Sequence, residues 1–309
     1  MFRTTVLLSL TCVLATDAPA QLRVVNTASR QIGMPAGGAL ATVYAPGLHA
    51  LPGLYVADPS LPLPHVLDGL EVLVNNSPAP LLAIYIPAAG DTAPAHIDFQ
   101  VPMERNYTAK LGLVDPGTLM IHVTGIGTAS DPPLTQLPRP GGGGFFSTGN
   151  GYASAQHASD NSFVTADNPA RAGETIIVFA DDFYQVWPPP PLGIPVPPQM
   201  TFQYDASLPN IASNFVFGFM YLYLQDYPIP TSGMPSQNDN SNPSSLPLQI
   251  LSRGLVANQI GVEEIQFVVP SYQLHGDWAL FFNTCNYTGG KSCDGFNPRS
   301  STYVLLPVR

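Results

Sequence analysis

The sequence predicts an all-β protein built from two tandem β-sandwiches joined by a Gly/Pro-rich linker. Charged residues make up only 10% of the 309 residues, and the chain contains 34 Pro and 27 Gly. Helices usually carry charges on their exposed face, and Pro and Gly are unfavourable inside them, so this composition argues against a helical fold. Short strand-like segments recur along the chain, and their order is partly repeated.

The N-terminus has the features of a signal peptide. Arg3 supplies a positive charge, residues 6–15 are largely apolar, and residues 18–20 form the small-x-small pattern Ala-Pro-Ala. We expect residues 1–20 to be cleaved on export. A membrane anchor is one alternative, but it needs about 20 apolar residues. A lipoprotein signal ending at Cys12 is the other, and the apolar stretch before it would be very short.

Export predicts a secreted or cell-surface protein, with the periplasm as the alternative compartment. The most apolar later stretch, residues 215–224, is too short to span a membrane, so no span is predicted in the mature protein. The net charge of −10 at pH 7 repels phosphate backbones, so nucleic acid is not an expected partner. No oligomeric state is predicted.

Cleavage of the leader would leave two cysteines, Cys285 and Cys293. Exported proteins mature in oxidising compartments, and the seven residues between the two are rich in turn formers, so we expect a disulfide at the tip of a hairpin. A redox or zinc role is the alternative. The pair lacks the CxxC spacing and further ligands nearby, so we expect neither a metal nor a cofactor.

The candidate strands are short apolar segments bounded by Pro, Gly, Asn or Asp, as is typical of β-sandwiches. In chain order they are residues 40–45, 70–74, 81–86, 96–101, 119–124, 175–180, 201–204, 215–224, 264–269, 278–283 and 302–306. The nearest candidate for a helix, residues 248–259, is interrupted by Gly254 and is weak.

An internal repeat indicates two copies of one module. Residues 35–44 align with 171–180, and residues 97–102 align with 265–270. The order is the same in both halves, and the spacing between the matches is longer in the second. We therefore expect an inserted loop at 227–248, where Pro, Ser and Asn are frequent.

The repeat divides the chain into a first sandwich at 21–138, a linker at 139–150 and a second sandwich at 151–309. The linker contains Gly141-Gly142-Gly143-Gly144. In each copy a turn glycine, Gly37 or Gly173, precedes a buried strand. A later strand alternates apolar and polar residues, and its apolar residues are predicted to lie in the core. These core residues are Ile97, Phe99, Val101, Ile265, Phe267 and Val269.

Five motifs in this order carry a family resemblance. They are Asn-Thr-Ala-Ser at 26–29, Pro-Ala-Gly at 35–37, the segment 70–81, Ile-Asp-Phe-Gln-Val-Pro at 97–102, and Asn-Pro-Ala-Arg-Ala-Gly-Glu at 168–174. Together they resemble the Solibacter-type C-terminal domain of exported acidobacterial proteins, which is similar to paired immunoglobulin-like modules of the IPT/TIG kind. The resemblance runs from about residue 24 to the C-terminus. It implies two tandem immunoglobulin-like β-sandwiches and no catalytic residues.

The predicted function is a non-catalytic interaction or structural module outside the cell, whose partner is an extracellular glycan or a surface protein. The first alternative is a carbohydrate-binding module, because Trp187, Tyr184 and Phe183 lie beside Pro188-Pro189-Pro190-Pro191 and could form an aromatic platform. The competing interpretation is that these rings pack over the prolines at a domain edge.

Catalytic motifs such as G-x-S-x-G, H-E-x-x-H and Walker A are absent from the sequence, so an enzyme is not predicted. A hydrolase with its site at the domain junction is the second alternative, and Asp181, Asp182 and His275 are its candidate residues. His96 and Asp98 would share one face of a strand, which we interpret as solvated surface rather than a metal site.

Overall fold

The described part of the chain is all β. The computed structural model describes residues 22–35, 37–45, 48, 51–58, 60–102, 120–124, 134–135, 143–181, 192–198, 218–226, 245–271, 275–286, 299–300 and 303–309. These residues form antiparallel strand pairs in four open sheets and contain no α-helix. Among them, accordingly, no helix has the length and apolar character needed to cross a bilayer.

The strands of the first half build two sheets. They are β1 (Arg23–Asn26), β2 (Leu40–Tyr44), β3 (Gly53–Val56), β4 (Val66–Leu67), β5 (Leu70–Val74), β6 (Ser77–Pro78), β7 (Leu81–Ile86), β8 (His96–Gln100), β9 (Met120–Thr124) and β10 (Leu134–Thr135). The first sheet has the order β1-β2-β8-β7-β3. The second has the order β10-β9-β5-β4, and β6 also pairs with β5.

The strands of the second half build two further sheets. They are β11 (Gly144–Phe145), β12 (Ala155–His157), β13 (Thr175–Asp181), β14 (Gly218–Asp226), β15 (Ser245–Pro247), β16 (Gln249–Leu255), β17 (Glu263–Val268), β18 (Gly276–Asn286), β19 (Arg299–Ser300) and β20 (Val304–Val308). The third sheet has the order β11-β13-β17-β16 with β12 beside β13. The fourth has the order β15-β14-β18-β19 with β20 beside β18.

Each half has its own apolar core, and each core draws residues from two sheets. Val43 of the first sheet and Val72 of the second belong to one cluster, whereas Val178 of the third sheet and Leu280 of the fourth belong to another. The six core residues predicted from alternation are at most 4% exposed, which confirms that prediction. Burial of side chains of this size stabilises a fold by about 2 kcal/mol each.

Two turn glycines show that the halves share a backbone arrangement. The N–H of Gly38 donates to the carbonyl of Val101 at 2.8 Å, and the N–H of Gly173 donates to the carbonyl of Val269 at 2.9 Å. Both glycines have left-handed backbones, with φ of 88° and 77°. Gly38, and not the predicted Gly37, therefore corresponds to Gly173. Two adjacent glycines let the sequence alignment slip by one residue, which the hydrogen bonds correct.

A second turn, which the sequence comparison did not pair, is also repeated. The N–H of Arg30 donates to the carbonyl of Asn26 at 3.0 Å, and the N–H of Asn161 donates to the carbonyl of His157 at 2.8 Å. Arg30 and Asn161 have φ of 58° and 59°, a backbone that asparagine tolerates better than arginine. The turns have different side chains, so only the backbone shows their equivalence.

A β-bulge is repeated as well. In β7 the register shifts at Leu82, directly after the residue paired with Phe99, and in β16 it shifts at Leu251, directly after the residue paired with Phe267. Bulges bend a strand and increase its twist, so both sheets are deformed at the same place.

Strand residues lie inside the predicted linker and inside the predicted insertion. Gly144 and Phe145, in the middle of the predicted linker 139–150, are buried and pair with β13. The segment that joins the halves therefore ends before β11. Likewise β15, Ser245–Pro247, lies inside the predicted insertion 227–248 and pairs with β14.

Several predicted features lie outside the described residues. They are the signal peptide 1–20, the strand 201–204, residues 227–244 of the insertion, Cys293, Asp182 and the aromatic residues Phe183, Tyr184 and Trp187. The backbone of Cys285 lies in β18, opposite Phe219. The disulfide stays a prediction.

Candidate functional site

The outer face of the first sheet carries the candidate site. In β2, Ala41 and Val43 belong to the core cluster, so Thr42 and Tyr44 point to the other side of the sheet. The pairing register extends this pattern across the neighbouring strands. Outward residues therefore stand in rows that cross the strands.

One row is rich in rings. Tyr44 lies opposite Arg23 on β1 and opposite His96 on β8, His96 lies opposite Tyr85 on β7, and Tyr85 lies opposite Leu54 on β3. We name Arg23, Tyr44, His96 and Tyr85 the aromatic row. Its three rings are partly exposed, and Arg23 and Leu54 at the two ends are exposed.

The rings of the aromatic row touch one another. The guanidinium carbon of Arg23 lies 4.7 Å from the centroid of the Tyr44 ring, a cation–π distance. The centroids of Tyr44 and His96 are 5.8 Å apart with an interplanar angle of 57°, and those of His96 and Tyr85 are 5.3 Å apart at 34°. These distances lie in the range of stabilising ring pairs, so the row is held in place before any ligand binds.

Hydrogen bonds fix the polar edges of two of these rings. Nδ1 of His96 lies 2.9 Å from the carbonyl oxygen of Pro94. A carbonyl only accepts, so Nδ1 carries the proton and Nε2 of the neutral ring is an acceptor. The hydroxyl of Tyr85 donates to Asp91. This bond raises the pKa of Tyr85 and lowers the pKa of the Asp91 carboxyl.

A second row runs beside the first one. The register aligns Val25, Thr42, Asp98, Ala83 and Val56 on adjacent strands. The hydroxyl of Thr42 donates to Oδ1 of Asp98 at 2.6 Å. Thr42 is buried and Asp98 is partly exposed. His96 and Asp98 thus share one face of β8, as the sequence predicted.

The other end of the same face is covered by the second half of the chain. Leu40 belongs to a small apolar cluster with Ile260, and Phe146 and Val262 pack against it. A Cβ on Gly261 would lie 2.8 Å from Cδ2 of Leu40. The face is therefore divided between a closed end at this junction and an open end that carries the aromatic row.

Buried polar side chains also join the halves at the junction. Gln100 is fully buried; its Nε2 donates to the carbonyl of Gly38 at 2.8 Å, and its Oε1 accepts from the N–H of Gly193 at 2.6 Å. Oδ2 of Asp181 accepts from the N–H of Leu40 at 2.9 Å and from Nδ2 of Asn26 at 3.3 Å.

Asp181, a candidate residue of the junction hydrolase, makes these contacts between the halves. Asp181 is 1% exposed, so its carboxylate is not presented to solvent. His275 is exposed. Asp181 accepts one hydrogen bond from a backbone N–H and one from a side-chain amide, so in this structure its carboxylate joins the two halves.

The second half has different side chains at the positions of the aromatic row. Ser154, Phe179, Glu264 and Gly254 correspond, in that order, to the four members of the row. The correspondence follows from the repeated turns and registers described above. The shared scaffold therefore does not require the row.

The aromatic row could not be found from sequence, because its members come from four strands that the register brings together. The described residues contain no group of three or more His, Cys, Asp or Glu placed to hold a metal ion. Comparison of the chain with protein-family models, with curated proteins and with solved structures finds no match.

Proposed function

We propose that this chain is an exported, non-catalytic protein of two tandem immunoglobulin-like β-sandwiches that acts as an interaction module outside the cell or at its surface. The repeated hydrogen bonds of Gly38 and Gly173 carry this proposal. Repetition of a left-handed turn, its acceptor and the strand register is expected of a duplicated domain. Two separate cores, each made from two sheets, support the same interpretation.

The junction supports a binding rather than a catalytic role. Its polar groups bond to one another across the halves, as Asp181 does with Asn26 and Leu40, and its apolar residues form a small cluster. Such contacts hold two sandwiches in a fixed relation and leave the open end of the first sheet available to a partner. The resemblance to modules of exported proteins and the predicted leader 1–20 support a partner outside the cytoplasm.

One preparation of the full chain tests the proposal. Expressed with its leader in a Gram-negative host, the protein is expected in the periplasm or medium with Gln21 as its first residue. Native proteolysis is expected to cut between residues 136 and 142, and the two fragments are expected to co-elute because the junction holds them together. An intact leader on cytoplasmic protein would contradict export, and fragments that unfold after cleavage would contradict two domains.

The non-catalytic part of the proposal has its own test. The secreted protein is incubated with chromogenic ester, peptide and glycoside substrates beside the triple variant Asp181→Asn, Asp182→Asn, His275→Ala. Equal background rates are expected for both. Turnover by the wild type that the triple variant loses would overturn the proposal in favour of a junction hydrolase.

A further inference from the structure

We propose that the aromatic row binds a neutral polysaccharide chain laid across the strands of the first sheet. This inference rests on the proposed function and names the ligand of the module. Arg23, Tyr44, His96 and Tyr85 come from four adjacent strands, and adjacent strands are about 4.8 Å apart. The row is therefore an extended line of contacts rather than a single pocket, and it suits a linear polymer.

The chemistry of the row matches that of a sugar. Tyrosine and histidine combine an apolar ring with a polar edge, and a pyranose combines an apolar face of C–H groups with a rim of hydroxyls. The rings are partly exposed and are already ordered by contacts at 5.3 and 5.8 Å, so binding would order few additional side chains.

Hydrogen-bond acceptors prevail beside the rings. Asp98 in the neighbouring row accepts a bond from Thr42, and Asp91 beyond Tyr85 accepts bonds from Tyr85 and from the N–H of Ala93. An ionised carboxylate has about four acceptor sites, so both side chains keep acceptor capacity for a ligand. Nε2 of His96 adds another acceptor. A ligand for this face needs many donors, and sugar hydroxyls supply them.

The charge of the face selects neutral sugars over acidic ones. Arg23 is the cation of the row and lies over the Tyr44 ring, whereas the carboxylate of Asp98 lies in the neighbouring row and that of Asp91 is bonded to Tyr85. The chain as a whole carries −10. A polyuronate or a sulfated glycan would meet this negative field and would be repelled.

The second half provides an internal comparison. The same scaffold positions there hold Ser154, Phe179, Glu264 and Gly254, and the fold is formed without the row. Because the scaffold forms without the aromatic row, binding of a ligand is the simplest explanation for the presence of the row. Proline-rich peptides instead dock in aromatic-lined grooves, whereas this row stands on an outer sheet face.

The test uses the full mature chain in affinity electrophoresis and pull-down with cellulose, xylan, mannan and starch as neutral probes, and pectate as an acidic probe. We expect retention by at least one neutral probe. Tyr44→Ala is expected to weaken this retention about tenfold, because the polysaccharide loses one stacking contact with the Tyr44 ring and one hydrogen bond with its hydroxyl. The matched control Phe179→Ala, at the equivalent position of the second half, is expected to bind like the wild type.

Further variants keep the test decisive. The second half has a glutamate, Glu264, at the position that corresponds to His96. The variant His96→Glu is therefore expected to fold and to lose binding, even if Tyr44→Ala unfolds. Retention that Trp187→Ala abolishes and the row variants leave intact would overturn the inference in favour of the loop at 183–191. Preference for pectate, binding of a proline-rich peptide instead, or no retention at all would also overturn it. Export and native proteolysis would still support the proposed function in each of these cases.

Discussion

Oδ2 of Asp181 accepts a hydrogen bond from the side-chain amide of Asn26, which lies 155 residues earlier in the chain. Oδ1 of Asn26 in turn accepts from the N–H groups of Ala28 and Ser29 at 2.9 and 2.8 Å. Asn26 thus shapes a turn of the first half and joins that turn to a strand of the second half. Both side chains are buried, so these bonds form in surroundings where an unmade bond is costly.

We expect Asp181→Ala to lower the free energy of unfolding by about 2–3 kcal/mol, because two buried donors lose their acceptor. Asp181→Asn is the matched control and should cost less, since it keeps an acceptor oxygen. In urea denaturation, a double-mutant cycle with Asn26→Ala is expected to give a coupling of about 1 kcal/mol. Additive effects of the two substitutions would contradict the contact.

Gly144 packs against the backbone of the first half. A Cβ at this position would lie 2.6 Å from Cα and N of Ser29. We expect Gly144→Ala to destabilise the protein by about 1–3 kcal/mol through overpacking at the junction. Gly149→Ala is the control, because no heavy atom lies within 4 Å of its added Cβ. Thermal unfolding of both variants checks this prediction, and equal midpoints would argue against the close approach.

The repeated turn glycines should respond alike to substitution. Gly38→Ala and Gly173→Ala each place a side chain on a left-handed backbone, which costs about 1–2 kcal/mol. Around Gly173 the nearest atom to an added Cβ is Oγ of Ser271 at 3.9 Å, so the cost there is conformational rather than steric. Chemical denaturation measures both losses. A neutral effect at either glycine would contradict its assigned backbone.

The sequence predicts the alternation of buried and partly exposed residues in β17, because one face of this strand packs on the core and the other face is more open. At the turn glycine the sequence prediction differs from the structure by one residue, because Gly37 and Gly38 are the same residue type and only the hydrogen bond to Val101 distinguishes them. Local sequence therefore predicts the alternation of a strand more clearly than the exact position of a turn residue.

Contacts between distant strands were not readable. The sequence offers Asp181 as a candidate residue of a hydrolase site, whereas its hydrogen-bond partners in the structure, Asn26 and Leu40, are 155 and 141 residues away in the chain. The aromatic row has the same origin, since Tyr44 and His96 become neighbours only through the pairing of β2 with β8. Long-range register follows from the whole sheet, so single motifs do not predict it.

The hydrogen bond between Tyr85 and Asp91 should be detectable as a shift in the pKa of the Asp91 carboxyl. It lowers the pKa of Asp91 below the ordinary 3.8, so the folded state gains a small, salt-screened stabilisation above that pH, which is lost as pH falls through the lowered value. Tyr85→Phe removes the donor and is expected to raise the pKa of Asp91. Carboxyl NMR titration of both proteins checks the direction. An unchanged pKa would contradict the bond.

A single variant tests the central claim, namely that one scaffold occurs twice and that only its first copy carries the ligand-binding row. This variant combines Arg23→Ser, Tyr44→Phe and His96→Glu. Each substitution introduces the residue type found at the corresponding position of the second half, namely Ser154, Phe179 and Glu264. Polysaccharide retention and thermal unfolding of this variant are measured beside the wild type. We predict that it folds, with an unfolding midpoint within about 5 °C of the wild type, and that retention falls at least tenfold. A variant that unfolds would contradict the repeated scaffold, and one that folds and still binds would contradict the site.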